Sequence, residues 1–341
     1  MKQVRVSDPF NAVEDPQLPT LALALNPDIV NEEFHHGLPR LAGEDARVAL
    51  RSITVTRHKP GRRCVIEYDV RIRLPDGSRQ KAMLIGKIRA RRFGNEAYRL
   101  LDLIWSSGFD SKAADSISVP EPIGVIPRFQ MWVQRKVSGR VSNALLAQRD
   151  AVSLARRIAE AIHKLHQISV PAERAHTMDD ELKILHECLA LVAQQKPAYA
   201  KRIPRILNKC ERLAATVPEP KRCGIHRDFY PAQVIVDGPR LFLIDFDLYC
   251  MGDPALDVGN FLGHLIEQSL REMRDPAALH DREEAMEQRF VELSGEAVRP
   301  AVRAYTILTL VRHIYLSTQF AERNAFTESL MQLCEERLDA V

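Results

Sequence analysis

Long hydrophobic runs are absent from this sequence of 341 residues. No stretch stays apolar over the roughly 20 residues that a helix needs to span a bilayer. The opening segment MKQVRVSDPFNAVEDPQLP also has no apolar core of the kind found in secretory signal peptides. These absences predict a cytoplasmic protein without a membrane partner.

The cysteine pattern and the net charge exclude further classes. The six cysteines lie far apart, with no CxxC pair and no Cys/His spacing typical of a metal site, which predicts reduced thiols. The formal net charge is only +3, and the basic residues are spread along the chain. A charge this small and dispersed gives no support for a nucleic-acid partner, and none is predicted.

The composition is that of a globular protein with more than one lobe. Hydrophobic residues make up 45% of the chain and charged residues 27%, as is usual for globular domains. A chain of 341 residues exceeds the size of one ordinary hydrophobic core. We therefore expect at least two lobes.

The period of the apolar residues changes along the first half of the chain. Residues 1–50 contain short helical stretches with two breaks, in TLALALNPDIVNEEFHHGLPRL, and are predicted as an N-terminal helical extension. From residue 51 apolar and polar residues alternate, as in RRCVIEYDVRIRL, which predicts an antiparallel meander with a hairpin turn at Pro75–Ser78. One helix and two further short strands complete a small α+β lobe over residues 51–137.

Residues 138–341 are predicted as a larger, mainly helical lobe. Helical spacing of apolar residues runs through SLARRIAEAIHKLHQ, through residues 177–216 and from Pro254 to the end. A short hairpin interrupts the helices, formed by QVIV, a DGPR turn and LFLIDF. The predicted fold class is therefore α+β with two lobes.

Polar residues flank this hairpin on both sides. His226, Asp228 and Gln233 precede it, and Asp245 and Asp247 directly follow its second strand. The hairpin forces the two segments to lie close together, and a carboxylate at the end of a buried strand must be solvated, paired or bound to a cation. Magnesium is the cation that prefers such oxygen ligands together with substrate phosphates.

The segment HRDFYPAQVIV…LFLIDFDLYCMGDPALDVGNF resembles the aminoglycoside phosphotransferase/choline kinase family. That family's catalytic loop reads His-x-Asp-x-x-x-x-Asn, and His226 and Asp228 match it, whereas Gln233 stands at the Asn position. The family's metal loop, Ile/Leu-Asp-Phe/Trp-Asp/Glu, is matched by Asp245 and Asp247. The motifs are long, ordered and correctly spaced.

The resemblance implies a bilobal protein kinase-like fold over roughly residues 50–330, with ATP in the cleft and GTP as an alternative. It implies that Asp228 orients the acceptor hydroxyl or accepts its proton. His226 and Asp257, the latter in the matching GDPALD segment, are implied to brace the loop.

The resemblance also implies how magnesium is held. Asp245, with Asp247 in the same motif, is implied to bind Mg²⁺ that bridges the ATP phosphates. Gln233 is implied to bind a second Mg²⁺ or to steady the loop. Glutamine keeps the carbonyl ligand but on a longer arm than asparagine.

Four residues of the small lobe are implied to bind the nucleotide. Lys87, in a basic segment that continues to Arg92, is assigned to the phosphates with Glu96 as its ion-pair partner. A solubilising lysine on an edge strand and an ordinary first-turn acid are the alternatives. Gly61 lies where a phosphate-covering loop belongs, but a plain hairpin turn explains it nearly as well. The backbone near Gln134 is assigned to the adenine.

His163 and His166 lie three residues apart on one helix face, a spacing that could bind a metal. No third ligand is visible in the sequence. The pair ends a helix that packs under the catalytic loop in this family, so ordinary packing is the favoured interpretation.

The sequence leaves the small-molecule acceptor open. A polycationic aminoglycoside needs acids around the cleft, and Asp179, Asp180, Glu181 and Glu267 are candidates, although Lys and Arg are interleaved nearby. Choline needs an aromatic cage, and aromatic residues are only 6% of the chain. A sugar or other polyol is therefore as well supported as an antibiotic.

Two other functions remain open at this point. A nucleotide-binding pseudokinase that regulates a partner is favoured by Gln233 and by the lack of a GxGxxG loop. A protein kinase is disfavoured because no activation segment ending in Ala-Pro-Glu follows Asp245. The oligomeric state is not indicated by the sequence.

Overall fold

The computed structural model describes residues 4–36, 38–42, 47–90 and 95–341. The chain divides into two units, Met1–Ser138 and Gly139–Val341. The strands of the first unit are β1 (Arg5–Ser7), β2 (Arg47–Lys59), β3 (Arg63–Arg73), β4 (Arg79–Arg89), β5 (Ile117–Ser118), β6 (Pro122–Ile126) and β7 (Met131–Arg135). Its helices are α1 (Leu21–Ala24), α2 (Pro27–His36), α3 (Pro39–Ala42) and α4 (Glu96–Ile104).

A sheet of six strands, in the order β1-β2-β3-β4-β7-β6, forms the framework of the first unit. The predicted meander is confirmed, since β3 pairs antiparallel with both β2 and β4. Alternation in β3 buries Cys64, Ile66, Tyr68, Val70 and Ile72, each at most 1% exposed. A strand with this pattern presents one apolar face to a core.

The N-terminal helices cover that apolar face. Phe34 of α2 packs edge-on against Tyr68, with ring centroids 4.9 Å apart. The Tyr68 hydroxyl donates to the carbonyl of Ala24 at 3.0 Å, so a buried polar group is satisfied. Strand β1 also belongs to this region and pairs parallel with β2. The helical segments predicted within residues 1–50 therefore complete the core of the sheet.

The second unit is mainly helical, as predicted. Its helices are α5 (Ser142–Leu146), α6 (Val152–Gln167), α7 (Met178–Gln195), α8 (Ile203–Ala215), α9 (Pro254–Gln268), α10 (His280–Ser294), α11 (Arg299–Gln319) and α12 (Thr327–Asp339). Its strands are β8 (Arg140–Val141), β9 (Cys223–Ile225), β10 (Val234–Asp237), β11 (Arg240–Leu243) and β12 (Cys250–Gly252). Strand β10 pairs with β11 on one side and β8 on the other, while β9 pairs with β12. Among the described residues, no helix is long and apolar enough to cross a membrane.

Helix α9 packs against α11 at very close range. A Cβ atom added at Gly259 would lie 2.4 Å from the Cβ of Tyr305 and 2.8 Å from the backbone nitrogen of Thr306. A Cβ atom at Gly263 would lie 2.6 Å from the Cβ of Thr309. Glycine at these two positions therefore permits an approach that any side chain would prevent.

Gly259→Ala is expected to destabilise the protein by about 1–3 kcal/mol because α11 must move to admit the methyl group. The change would otherwise stabilise the helix by about 0.8–1.0 kcal/mol through helix propensity. The free energy of unfolding in urea measures the net effect. Gln194→Ala, at an exposed position of α7, is the control for propensity, and equal stability of the two variants would contradict the close packing.

Candidate active site

The β10–β11 hairpin brings the two polar segments together within the second unit. Val234 pairs with Leu243, and the amide of Ile244 donates to the carbonyl of Gln233 at 3.0 Å. Asp245 follows directly in the chain. The side chain of Gln233 in turn hydrogen-bonds to that of Asp228. The hairpin thus links the residues that the sequence predicted to lie together.

Asp228 lies in an environment that disfavours its charged form. Burial raises the pKa of Asp228 above its ordinary value, and the negative charge of Asp245 raises it further. The charges of His226 and Arg312 and the hydrogen bond from Gln233 act in the opposite direction without cancelling the rise. Two carboxylates close enough to repel each other form a site that a cation would stabilise.

The backbone adopts left-handed conformations at two residues of the site. Arg227 has φ of 68° and Asp245 has φ of 66°. Non-glycine residues adopt this conformation rarely, and where they do so the surrounding structure must hold them. The contacts of Asp257 and His226 supply that support.

Asp257 is buried beneath the loop and binds its backbone. Its Oδ2 accepts the amide of His226 at 2.8 Å, and its Oδ1 accepts the amide of Arg227 at 2.7 Å. His166 of α6 contacts the same Oδ2 through Nε2 at 2.9 Å. Asp257 is fully buried, so it fixes the loop from inside the protein. The helix that carries His163 and His166 therefore lies beneath the loop, and His166 has a carboxylate partner there.

His226 connects the loop to the strand that precedes Asp245. Its ring Nε2 donates to the carbonyl of Ile244 at 2.9 Å. The ring centroid lies 5.0 Å from that of Phe246 and 5.6 Å from that of Phe229. The side chain is fully buried, so its position is suited to bracing the loop and not to meeting a ligand.

Sequence reasoning missed a polar network that extends from the loop to α7 and α11. Asn260 donates to the carbonyl of Phe229 at 2.8 Å. Its side-chain oxygen accepts from Arg312, whose guanidinium also contacts Glu181 at 3.3 Å. Asn260 stands one helical turn after Asp257. This spacing places both residues on one helix face, and it is the feature of the sequence that could have indicated Asn260. Arg312 lies about 50 residues further on, where no local pattern marks it.

A cavity of about 520 Å³ opens beside Asp228 within the second unit. Such a volume lies in the usual range for small-molecule sites, about 300–1,000 Å³. Its walls include Arg227 of the loop, Glu181 of α7, His264 of α9 and Arg312 of α11. The candidate acids Glu181 and Glu267 both line it, whereas Asp180 caps α7 through Thr177.

An aromatic wall closes one side of this cavity. The Tyr230 ring stacks on that of His264 with centroids 4.7 Å apart, and His313 meets His264 edge-on at 4.4 Å. Burial, with the positive charges of Arg312 and other arginines, lowers the pKa of His264 to about 3. His264 is therefore neutral at physiological pH and adds no charge to the cavity.

The first unit contains Lys87, which is predicted to bind phosphate, and Glu96, its predicted ion-pair partner. Lys87 lies on β4 between β3 and β7, opposite Val65 and Trp132, with its Nζ 4.8 Å from the Trp132 ring centroid. The edge-strand interpretation is wrong, because β4 pairs on both sides. Glu96 is exposed at the start of α4, and its ion pair with Lys87 stays a prediction. Arg91 and Arg92 lie outside the described residues.

The other two nucleotide predictions fall on backbone that is already hydrogen-bonded. The amide of Gly61 donates to the carboxylate of Asp15 at 2.8 Å, which argues against its binding phosphate. Gln134 is buried in β7 and pairs with Ile85. The amide of Lys136, the third residue of the predicted adenine-facing stretch, donates to Met83 at 2.8 Å. A role of Gln134 in binding adenine stays a prediction.

The predicted magnesium ligands are few, but they carry the oxygen atoms that magnesium prefers. Asp247 is half-buried in the turn after Asp245, and its carbonyl accepts from Arg174 at 3.1 Å. Within the described ranges, no three His, Cys, Asp or Glu side chains are grouped to hold a metal ion by themselves. Magnesium in kinases takes one or two carboxylates and completes its shell with phosphates and water. The charge repulsion between Asp228 and Asp245, with Gln233 beside them, fits that mode of binding.

Comparison of the sequence with models of known protein families identifies the family of this chain. A family model described as the phosphotransferase enzyme family matches residues 94–296, more than half of the chain. The chain belongs to this family. The matched span includes both loops, the hairpin and α9, and the predicted family relationship is confirmed.

Solved structures of phosphotransferases share the fold. A Ralstonia eutropha protein assigned to the aminoglycoside phosphotransferases has a TM-score of 0.61 at 13% identity, covering 92% of this chain and 98% of its own. A choline/ethanolamine kinase family protein from Mesorhizobium loti has 0.57 at 14% identity, covering 91% and 94%. A thermostable mutant of the aminoglycoside phosphotransferase APH(4)-Ia, solved with ADP and hygromycin B, has 0.56 at 14% identity, covering 85% and 94%.

These likenesses confirm the predicted α+β, protein kinase-like fold class. Identities of 13–14% support the fold and not a shared substrate. A search of the curated proteins found no significant match.

Proposed function

We propose that this phosphotransferase moves the γ-phosphoryl group of ATP to a hydroxyl of a small molecule such as a sugar, a related polyol or an aminoglycoside. The observation that carries the proposal is Asp228, a half-buried carboxylate with a raised pKa at the wall of a ligand-sized cavity. A base needs a pKa nearer to the working pH than that of an ordinary aspartate. The relative solved with ADP supports ATP as the donor.

In this proposal the residues of the loop have distinct roles. Asp228 accepts a hydrogen bond from the acceptor hydroxyl and takes its proton as the new oxygen–phosphorus bond forms, while the bond from the γ-phosphorus to the bridging oxygen breaks and ADP leaves. Gln233 holds the Asp228 carboxylate in place through its side-chain hydrogen bond. His226 and Asp257 keep the loop backbone in its left-handed turn.

Asp245, with Gln233 and Asp247, would hold magnesium, and Lys87 would bind a phosphate of the nucleotide. Bound magnesium would neutralise the phosphate charge that develops during transfer. Without a counter-charge the carboxylates of Asp228 and Asp245 repel each other. The same pair therefore favours the binding of a metal–nucleotide complex over that of the nucleotide alone.

Thermal melts of the wild type and of Asp245→Ala, with and without Mg-ATP or Mg-GTP, test the nucleotide site. A ligand at a hundred times its dissociation constant stabilises the folded state by about 2.7 kcal/mol. We expect Mg-ATP to raise the melting temperature of the wild type but not that of Asp245→Ala. Asp237→Ala, at the exposed far end of the same hairpin, is the matched control and should respond like the wild type. If Mg-ATP leaves the wild type unchanged, the proposal is wrong.

A regulatory pseudokinase is the second candidate, and Gln233 is the observation that favours it. Glutamine at this position places its carbonyl on a longer arm than the asparagine of the family motif. Nucleotide binding in the melts, with no ADP release in the presence of any acceptor, would put the pseudokinase ahead of the enzyme.

A further inference from the structure

The cavity beside Asp228 is rich in arginine. Arg227, Arg271, Arg312 and Arg323 line it, and apart from Asp228 its acidic side chains are Glu181 and Glu267. The arginines come from four different places: the catalytic loop, the segment after α9, helix α11 and the turn after α11. A positive site of this kind is set by tertiary packing and cannot be detected as a local charge run.

Both glutamates of the cavity are already used in ion pairs. One oxygen of Glu181 lies 2.6 Å from Nε2 of His176, and the other lies 3.3 Å from Arg312. Glu267 pairs with Arg271 at 2.9 Å and lies 3.8 Å from Arg323. A cationic ligand would have to break these pairs to reach a carboxylate. The acids therefore orient the arginines and offer little to an ammonium group.

Positive charge remains after these pairs are counted. Four arginines line the cavity against the three acids Glu181, Glu267 and Asp228, a surplus of one positive charge. Arg271 also contacts Glu272 at 3.0 Å, so its charge is largely neutralised. Arg227 is close enough to Asp180 and Glu181 for its charge to lower the pKa of both, and within the described part of the chain its guanidinium has no direct ion pair. Among the described residues, Arg323 has a long contact to Glu267 at 3.8 Å, and its guanidinium carbon lies 5.3 Å from the Phe320 ring centroid. These two arginines are the groups available to a ligand.

We infer that the acceptor is a hydroxy compound carrying an anionic group, a carboxylate or a phosphate, which Arg227 and Arg323 bind while its hydroxyl meets Asp228. Guanidinium groups bind both kinds of anion through paired hydrogen bonds. A polycationic aminoglycoside would place its ammonium groups among the guanidiniums, and like charges reject such a partner. The inference rests on the proposed function, because the role of Asp228 fixes where the hydroxyl must lie.

Binding of four pyranoses that differ in charge tests the inference. Glucosamine, glucose, glucuronate and glucose 6-phosphate are titrated at equal ionic strength into the protein saturated with Mg-AMP-PNP, with hygromycin B as a polycationic probe. Nucleotide saturation keeps the anions out of the phosphate site. We expect glucuronate, glucose 6-phosphate or both to bind roughly ten-fold to a hundred-fold tighter than glucose, as for one charged hydrogen-bonded contact. Which of the two binds tells carboxylate from phosphate.

Charge-removing variants show where the anion binds. Arg227→Gln and Arg323→Gln are each expected to lower the affinity for the anionic sugar roughly ten-fold or more while leaving that for glucose unchanged. The two substitutions lie in different segments of the chain. If one variant misfolds, the other still tests whether an arginine binds the anion. Arg303→Gln, an exposed arginine of α11 outside the cavity, is the control and should keep the preference.

The outcomes separate the inference from the proposed function. If Mg-AMP-PNP fails to stabilise the protein, the proposed function is wrong, and the inference falls with it. If Mg-AMP-PNP binds but glucosamine, glucose or hygromycin B binds as tightly as the anionic sugars, only the inference is wrong. Absence of binding by both anionic sugars also overturns it.

Discussion

Replacing Asp228 by asparagine is expected to lower the rate of phosphoryl transfer by about 10²–10⁴-fold, the usual contribution of a positioned base. Asparagine keeps the shape of the side chain and its contact with Gln233 but cannot take a proton. Nucleotide binding should survive, because Asp245, the proposed metal ligand, is unchanged. The rate of ADP release with the acceptor found in the sugar panel, and without acceptor, measures the loss.

The same variant should be at least as stable as the wild type at neutral pH. Because the pKa of Asp228 is raised in the folded state, its charge costs stability at pH values above that pKa. The cost disappears as the pH falls below the ordinary pKa of aspartate, where the group is protonated in both states. Melts across this pH range should therefore show an advantage of Asp228→Asn that fades in acid.

A matched control separates the base from a general effect of removing a charge. Asp237→Asn, at the exposed turn of the same hairpin, should keep the transfer rate. An Asp228→Asn variant that retains more than about a tenth of the wild-type rate would show that Asp228 is not the base.

Asp257→Asn is expected to destabilise the protein by about 3–5 kcal/mol, the usual cost of breaking a buried charged contact. The carboxylate accepts from two loop amides and contacts His166. The asparagine NH₂ group would face one of these donors and leave it without an acceptor. For a domain of this size class the melting temperature should fall by roughly 6–20 °C.

Asp253→Asn is the matched control for this measurement. Asp253 is also buried at the start of α9, where its Oδ1 accepts the amide of Ala255 at 2.9 Å. Burial raises the pKa of Asp253, and asparagine is as good a helix cap as aspartate. Its replacement should therefore cost little. If Asp257→Asn melts no earlier than Asp253→Asn, Asp257 does not brace the loop in the way its contacts indicate.

Local patterns in the sequence predicted those strands and turns whose signal lies within one short segment of the chain. Alternation over Cys64–Leu74 predicted β3, and the DGPR turn predicted the β10–β11 hairpin that links Gln233 to Asp245. Strand β1 was missed because three residues are too few to reveal a period of two. Its pairing with β2 depends on a parallel neighbour more than forty residues away.

The chemical character of the cavity could not be predicted from the sequence. The candidate acids Glu181 and Glu267 were visible, but the arginines that neutralise them are Arg312 and Arg271. The partner of Glu181 stands on another helix, so only packing reveals the pair. Gly61 was predicted as a phosphate contact, but its amide donates to Asp15. That hydrogen bond joins residues 46 positions apart, so no local pattern in the sequence reveals it.

Helix α9 carries both the support of the candidate catalytic loop and part of the cavity wall. Asp257, Asn260, His264 and Glu267 follow one another at intervals of three or four residues, so they lie along one face. The first two hold the catalytic loop, and the last two line the cavity. Gly259 and Gly263 hold this helix closely against α11, so a shift of α9 that widened the cavity would also move the residues that support the loop. Directed evolution of new acceptors should succeed at cavity positions that leave the helix in place, and fail wherever it displaces Asp257.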